Sequence, residues 1–475
     1  MSLDAAQFSP PFRPFAARMQ AEGLPDVFIR TFAGYYEQLV AGNTGLISES
    51  EIEPVTALPD ADTFSEEMAA IGEEAMPHTA VIKLNGGLGT SMGLEQAKSL
   101  LVVKEGLSFL DIIARQSICT AVPLILMDSF STQEDAREVL CRYPELDNGL
   151  SQSFLQHKAP KITQADLTPV SWPDNPALEW CPPGHGDIYT ALVTSGTLTA
   201  LLARGYEYAF VSNADNLGAV IDRRILGYFA SQQLPFMMEV ANRTEMDRKG
   251  GHLAQRPDGQ LILRESAQCP EEDEDAFQDI SRYRYFNTNN LWFHLPSLQR
   301  VMEEQNYQFG LPIIRNGKTV DPRDADSTAV YQLETAMGSA IAIFTGAQAV
   351  RVGRERFAPV KTTNELLAVR SDAYELTADF RVIPGAGRHM MHFVVNLDPT
   401  YYKFHYDLEA RFPHGAPSLI QCTRFDVRGD VCFGKGVVCR GEVIIKNESG
   451  RQVTIPDGTV LEGVVKFTSQ SLPWS

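Results

Sequence analysis

The sequence predicts an α/β protein: a largely parallel sheet covered on both faces, preceded by helices and followed by a β-helix. Three observations carry that prediction. From Thr79 onward, short apolar runs alternate with amphipathic segments of helical length. One of those runs opens directly into a loop with four glycines in nine residues, Asn85 to Gly93. Near the C-terminus, aliphatic side chains fall at a strict six-residue step.

Residues 1–75 read as a helical segment, in which Phe28, Phe32, Tyr35 and Leu39 recur at helical spacing and mark a packing face. Ala80 to Leu84 (AVIKL) reads as a buried strand entering the loop NGGLGTSMG. A second strand is expected over Leu100 to Val103, feeding a helix that starts at Ser108, with Asp111 three residues on as in a capping box. Pro123 to Met127 reads as a strand. The helix expected from Thr132 again has an acid, Asp135, three residues on. A further helix is expected from Asp187, which could cap it, to about Arg204, followed by a strand over Tyr206 to Ser212. Strands joined through helices pair in parallel. The middle third looks antiparallel, since HLAQ and QLILRE flank the turn Pro257-Asp258-Gly259. In open α/β sheets, ligands sit beyond the carboxyl ends of the strands, which directs attention to the loops after Leu84 and Ser212.

In the tail, Phe425, Val431, Val437 and Val443 hold the six-residue step among Gly429, Gly436 and Gly441, and Ile455 and Leu461 resume it. Such hexads mark a β-helix whose stacked coils bury one aliphatic column; a few ordinary hairpins are the alternative. An exposed end of such a stack is a surface for self-association. The chain is thus expected to divide into a helical segment (1–75), an α/β domain (76–410) and a β-helix (411–475).

The 475 residues are 44% hydrophobic and 21% charged, with net charge −19. These values suit a soluble acidic protein whose field repels nucleic acid and anionic membranes, while small anionic substrates remain open to it. The acidic run Glu271 to Asp275 reads as a solvated loop rather than a metal cluster. Seven cysteines without a CxxC pair suggest reduced thiols. There is no apolar leader at the N-terminus and no stretch of about 18 apolar residues, so a cytoplasmic location is expected.

Glycines directly after a buried strand let backbone amides approach a phosphate or a base. Two familiar readings fail on spacing. No lysine follows this loop in Walker A register, and at Gly317-Lys318-Thr319 the place of the first Walker glycine is taken by Pro312, so that tripeptide reads as a surface turn. Gly87, Gly89 and Gly93 give GxGxxxG, one residue too long for the dinucleotide fingerprint. Lys98 arrives soon after the loop, and amides with one ammonium suit a triphosphate.

KLNGGLGTSMG (Lys83 to Gly93) followed by KSLLVV resembles the signature of the eukaryotic-type UTP–glucose-1-phosphate uridylyltransferase (UDP-glucose pyrophosphorylase) family. PPGHGDIY, FVSNADNLGA, FNTNNLW, QLETAMG, RFAPVKTT and the hexad tail follow in the same order, colinear from about residue 75 to about residue 465. The resemblance implies a Rossmann-like, mixed-sheet nucleotidyltransferase (GT-A-like) domain with a left-handed β-helix behind it. It also implies a Mg²⁺-dependent transfer of uridylyl from UTP to glucose 1-phosphate, giving UDP-glucose and pyrophosphate.

Carried residue by residue, the resemblance places Leu84, Asn85, Gly86 and Gly87 on the uridine and phosphates through their backbone, with Gly86 and Gly87 also near the sugar phosphate. Lys98 falls on the nucleotide phosphates, although Gln96-Ala97 stands where the family usually has Gly-Pro. Gln156 is placed at the uracil edge, where an amide offers both donor and acceptor. Gly184 is placed on the nucleotide and His185 on the sugar phosphate. Glycines flanking a histidine at a helix start also suit ligand approach. Asn213, Ala214 and Asp215 end a strand beside the phosphates, and Asp215 is the expected Mg²⁺ ligand. Asn289 falls on the sugar, with Glu239 a weaker candidate, and Lys361 bridges the reacting phosphates. His389 and His392 lack a partner cluster, so a metal reading there is rejected. Two rivals remain: a pyrophosphorylase for N-acetylhexosamine or several sugar phosphates, in which an arginine more often stands near Thr90-Ser91-Met92, and a non-catalytic sugar-nucleotide binder.

Overall fold

Strands Thr79–Asn85, Leu124–Asp128 and Tyr208–Asn213 lie side by side in parallel at the middle of a ten-stranded sheet, with Ser153–Leu155 continuing it in parallel at one edge. These come from a computed structural model, which describes residues 5–386 and 393–469; His389 and His392 lie outside the described residues. The sheet reverses at Tyr285–His294, which runs antiparallel to both Tyr208–Asn213 and Phe236–Asn242. The architecture is therefore mixed α/β, and the sheet is mixed rather than largely parallel: only strands joined through helices pair in parallel, while those joined by hairpins and returns run antiparallel.

Both faces of the sheet are covered, and the period-two alternation of a strand sorts the side chains between them. Ile125 and Met127 join Ala80, Ile82 and residues of helices Ile188–Thr194 and Leu295–Glu304 in one core. Leu124 and Leu126 pack with residues of helices Phe109–Thr120 and Gln133–Leu140 in another. The Ser108–Asp111 capping box forms as expected. The turn at Pro257-Asp258-Gly259 joins antiparallel strands His252–Gln255 and Leu261–Arg264.

At the N-terminus, helices Arg13–Ala21 and Asp26–Val40 bury Phe28, Phe32, Tyr35 and Leu39. In the tail, Ser418–Arg428, Val438–Asn447 and Val460–Phe467 form a parallel sheet that Val394–Leu397, from before residue 411, joins at its edge, and Val431–Phe433 pairs in parallel with Val453–Ile455. Phe425, Val431, Val437, Val443, Ile455 and Leu461 are all buried. Parallel pairing excludes hairpins, because a tight turn can join only antiparallel neighbours. This column shares one core with Leu366 and Leu367 of helix Thr363–Arg370.

Several local expectations also need correction. The helix expected from Asp187 is two, Ile188–Thr194 and Thr197–Ala203, broken at Gly196 with φ +76°, and Asp187 makes no side-chain cap. The run at Leu100 is a 3-10 turn, Lys98–Leu100, followed by a short hairpin outside the main sheet, since the chain must fold back to carry Lys98. Gly317-Lys318-Thr319 lies in a strand, Ile314–Thr319, paired with Ala329–Glu334. The acidic run is helical, and Asp273 pairs with Arg264, which is buried and needs a counter-charge.

Candidate active site

The strand Thr79–Asn85 delivers the glycine loop to the carboxyl edge of the sheet, where Ala214 N–H donates to the Leu84 carbonyl at 3.1 Å. The Asn85 side chain is buried and donates to Asp128 Oδ1 at 2.7 Å, so it is turned into the protein and not toward a ligand. Burial pushes the Asp128 carboxyl up to about 6, with hydrogen bonds from Asn85 and Ser153 pulling the other way. Gly86 is hemmed in, since a Cβ there would stand 2.9 Å from Gln156 Oε1, whereas a Cβ on Gly87 would meet nothing within 4 Å. The loop then turns back. Gly89 takes the left-handed φ of +66°, where a Cβ would sit 3.3 Å from that of Lys98, and Lys98 N–H donates to the Gly87 carbonyl at 3.0 Å.

Two more loops close on this one. Gln156 N–H donates to the Asp128 carbonyl at 2.7 Å, and its Nε2 donates to the Gly184 carbonyl at 3.2 Å. Behind it, Asp187 accepts from His157 N–H at 2.7 Å and meets the ring Nδ1 at 2.9 Å, and Phe28 stacks on that ring at 4.3 Å. The N-terminal helices thus brace the loop that carries Gln156.

Gly184 and Gly186 admit the segment at Thr335: their Cβ atoms would stand 2.4 Å from the Thr335 carbonyl oxygen and from Oγ1 respectively. The close approach these glycines permit is therefore one of protein against protein. His185 Nδ1 accepts the Met337 N–H at 3.0 Å, which assigns the ring proton to Nε2 as a donor. Burial pushes the imidazole down to about 4, so the ring is neutral.

Asp215 follows the strand end. Its Oδ2 pairs with Lys98 Nζ at 2.6 Å, while Oδ1 is buried without a hydrogen-bond partner. The Asp215 carbonyl accepts the Val360 N–H at 3.1 Å, and Asn216 bridges to Pro359, so the exposed Lys361 is held beside Asp215 through the backbone. The buried Asn216 amide binds these loops together: Nδ2 donates to Asn290 Oδ1 and to the Arg356 carbonyl, and Oδ1 accepts the Ala358 N–H at 3.0 Å.

The pairing of Phe236–Asn242 with Tyr285–His294 shifts register between Glu239 and Val240, leaving Thr288 and Asn289 as a bulge. Asn289 has φ +59° and is half-buried between buried neighbours, with Asn287 clasping its amide at 2.8 Å. Glu239 is not available to a ligand. Its carboxylate is fully buried against Arg356, Trp292 and Asn290, at 2.7 Å from Arg356 Nη2.

Leu84, Gly86, Lys98, Gln156, Gly184, Asn213, Ala214 and Asp215 are thus joined by direct contacts or along the chain, with His185, Asn289 and Lys361 attached as chain neighbours of Gly184, Asn290 and Val360. Sequence reasoning missed Asn216 and His157 and took Asp187 for a helix cap; all three tie loops together. It also missed Lys83, whose ammonium donates to Ser212 Oγ and the Ala219 carbonyl, both at 2.7 Å, and is pushed down to about 7 by burial and by Arg356. A lysine inside an apolar strand was the available signal.

The family model for UTP–glucose-1-phosphate uridylyltransferase matches residues 27–440. A protein of that name from Saccharomyces cerevisiae is 40% identical over 405 residues, covering 81% of this chain and 77% of its own. One from Solanum tuberosum is 40% identical over 389 residues, covering 80% and 79%. The crystal structure of a mutant UDP-glucose pyrophosphorylase from Leishmania major in complex with UDP-glucose superposes with a TM-score of 0.89 at 45% identity, covering 97% of this chain and 100% of that one. With the glycine loop, the Lys98–Asp215 pair and the His185 loop assembled at one sheet edge, the chain belongs to the UTP–glucose-1-phosphate uridylyltransferase family.

Proposed function

We propose that the chain transfers the uridylyl group of UTP to glucose 1-phosphate, forming UDP-glucose and pyrophosphate in a reversible reaction. A phosphate oxygen of glucose 1-phosphate attacks the α-phosphorus of UTP, and the bond from that phosphorus to the oxygen bridging the α- and β-phosphates breaks. The observation that carries this reading is the Lys98–Asp215 pair at the turn of the glycine loop: an ammonium and a carboxylate set where phosphates enter past an unobstructed Gly87.

The chain's own work is to place and neutralise charge. The backbone from Leu84 to Gly87 takes the uridine and phosphates. Gln156 holds its amide against Gly184 and keeps capacity for a uracil edge. His185 offers its Nε2–H to the sugar phosphate. It takes no proton, since a phosphate dianion needs none removed to attack. Asn213 and Ala214 line the phosphate side, Asn289 reaches the sugar hydroxyls, and Lys98 and Lys361 face the charge on the transferring phosphates. Among the described residues no group of three His, Cys, Asp or Glu side chains converges. Asp215, whose buried Oδ1 has no partner, fits Mg²⁺, which prefers one or two carboxylates and takes its other ligands from phosphate and water. When bound, the ion supplies neutralisation of phosphate charge.

We read the tail from residue 411 as a left-handed β-helix behind a catalytic domain at 76–410 and a helical segment at 1–75; two parallel strand stacks over one aliphatic column support this. Val460 and Val464, exposed on the last strand, support self-association there. Seven free cysteines support a cytoplasmic location, and no described helix is long and apolar enough to cross a membrane.

The test is pyrophosphate release over a panel of nucleoside triphosphates and sugar 1-phosphates, with and without Mg²⁺. UTP with glucose 1-phosphate is expected to dominate. Equal rates with N-acetylglucosamine 1-phosphate would favour a broader specificity, and no release would favour a binding protein. Lys361→Ala is expected to collapse turnover far more than it weakens UDP-glucose binding measured by calorimetry; near-normal turnover would remove Lys361 from its role.

A further inference from the structure

Lys98 reaches Asp215 because the chain doubles back after the glycine loop, and one contact from outside the loop holds that return. The Ala97 N–H donates to Asp135 Oδ2 at 2.9 Å. Ala97 is only 2% exposed, so its amide depends on that acceptor. The sequence predicts that Asp135 caps its own helix with Thr132, but helix Gln133–Leu140 has no side-chain cap: Thr132 turns back to accept the Ser129 N–H at 2.9 Å, and Asp135 is left to hold Ala97. Ser129 in turn flanks Gly86, its Cβ lying 3.6 Å from where one on Gly86 would stand. A single strand-to-helix unit, Leu124 to Leu140, thus braces the glycine loop at Gly86 and again at Ala97.

We propose that Asp135 is a positioning residue for the nucleotidyl transfer. By holding the Ala97 amide, its carboxylate sets where the Lys98 ammonium stands relative to the triphosphate. This rests on the proposed function, in which Lys98 meets the nucleotide phosphates. The backbone itself supplies an independent handle. Ala97 has φ −52°, within the range a proline ring imposes, and ψ 128°, which proline readily adopts. Proline at 97 would hold the same turn covalently and put its ring carbon where the N–H now meets Asp135, so that the carboxylate turns aside toward solvent and becomes dispensable.

The experiment measures kcat and the KM of each substrate, with thermal melts, for wild type, Lys98→Ala, Asp135→Ala, Asp135→Asn, Ala97→Pro and the pairwise combinations. Asp135→Ala is expected to lower kcat/KM for UTP about tenfold, the scale of one unsatisfied buried amide, with the KM for glucose 1-phosphate unchanged. Asp135→Asn, whose amide oxygen still accepts, retains most activity. In the Ala97→Pro background the Asp135→Ala loss shrinks to about twofold or less, and in the Lys98→Ala background it disappears, as coupled residues require. The proposal is overturned by a normal Asp135→Ala enzyme, by a loss that persists in either background, or by equal losses in Asp135→Ala and Asp135→Asn; the last comparison decides the matter alone if Ala97→Pro melts early. An active wild type with a normal Lys98→Ala variant would instead unseat the role given to Lys98.

Discussion

Lys98 and Asp215 stand 117 residues apart in the chain and 2.6 Å apart in the fold, ammonium against carboxylate. The ammonium and the carboxylate thus neutralise each other in the fold. Only Oδ2 is engaged, and the buried Oδ1 has no hydrogen-bond partner, so on the proposed function it is the oxygen that would take Mg²⁺. Removing either partner leaves the other charge uncompensated. Asp215→Asn is expected to lower turnover by about 10²–10³, the scale of losing one preorganised charge at a transition state, and to flatten the Mg²⁺ dependence of the rate. Titrating Mg²⁺ at saturating UTP checks this; an unchanged Mg²⁺ curve would separate Asp215 from the metal.

His185 gives a prediction with a sign. Its pKa falls from the ordinary value of 6.5 to about 4 through burial, so the folded ring stays neutral while an unfolded ring takes up a proton as pH falls through 6.5. Between those values the unfolded state binds more protons, so stability rises with pH and is lost on acidification. His185→Gln should reduce the fall in melting temperature between pH 6.5 and 4, though not abolish it, because the buried His252, pushed down to about 3, contributes in the same direction. The rate profile of the wild type should show no inflection from His185 near pH 6.5. An inflection there that vanishes in His185→Gln would mean the ring titrates during the reaction.

Two glycines in the site should respond to alanine in opposite ways. At Gly184, with φ +82°, a Cβ would press on the Thr335 carbonyl at 2.4 Å, so Gly184→Ala is expected to cost about 2–4 kcal/mol from strain and overpacking. At Gly87 nothing lies within 4 Å. Gly87→Ala should keep the wild-type melting temperature and raise the KM for UTP. Thermal melts with substrate titrations distinguish the two, and a destabilised Gly87→Ala would show that protein packing explains that glycine.

Glu239 belongs to the fold's interior. Glu239→Ala strands Arg356 as a buried unpaired charge and is expected to cost about 3–5 kcal/mol, read by urea denaturation. A variant of normal stability with a raised KM for glucose 1-phosphate would restore Glu239 to the sugar side.

Much of this was legible in the sequence because it depends on local order. Period-two and helical spacing foretold the two covered faces, and the capping box at Ser108–Asp111 announced its own helix. The six-residue step in the tail marked its buried column, since Phe425 through Leu461 need only repeat to stack. The similar spacing at Thr132–Asp135 misled, because a carboxylate near a helix start takes whichever amide lies closest, and here that is Ala97. The helix expected through Asp187 also failed. His157 claims that carboxylate from outside the helix, and left-handed Gly196 breaks the run.

By itself the sequence determined the α/β class, the glycine loop with the lysine that follows it, and, through its run of motifs, the family. Pattern and spacing are properties of neighbours in the chain. The tertiary structure decided which charged groups meet. It set Lys98 on Asp215, left Oδ1 free, and buried Glu239 on Arg356. It also turned the glycines around His185 toward Thr335. Those outcomes depend on desolvation and on contacts between distant segments, and both arise only once the loops have closed on one another.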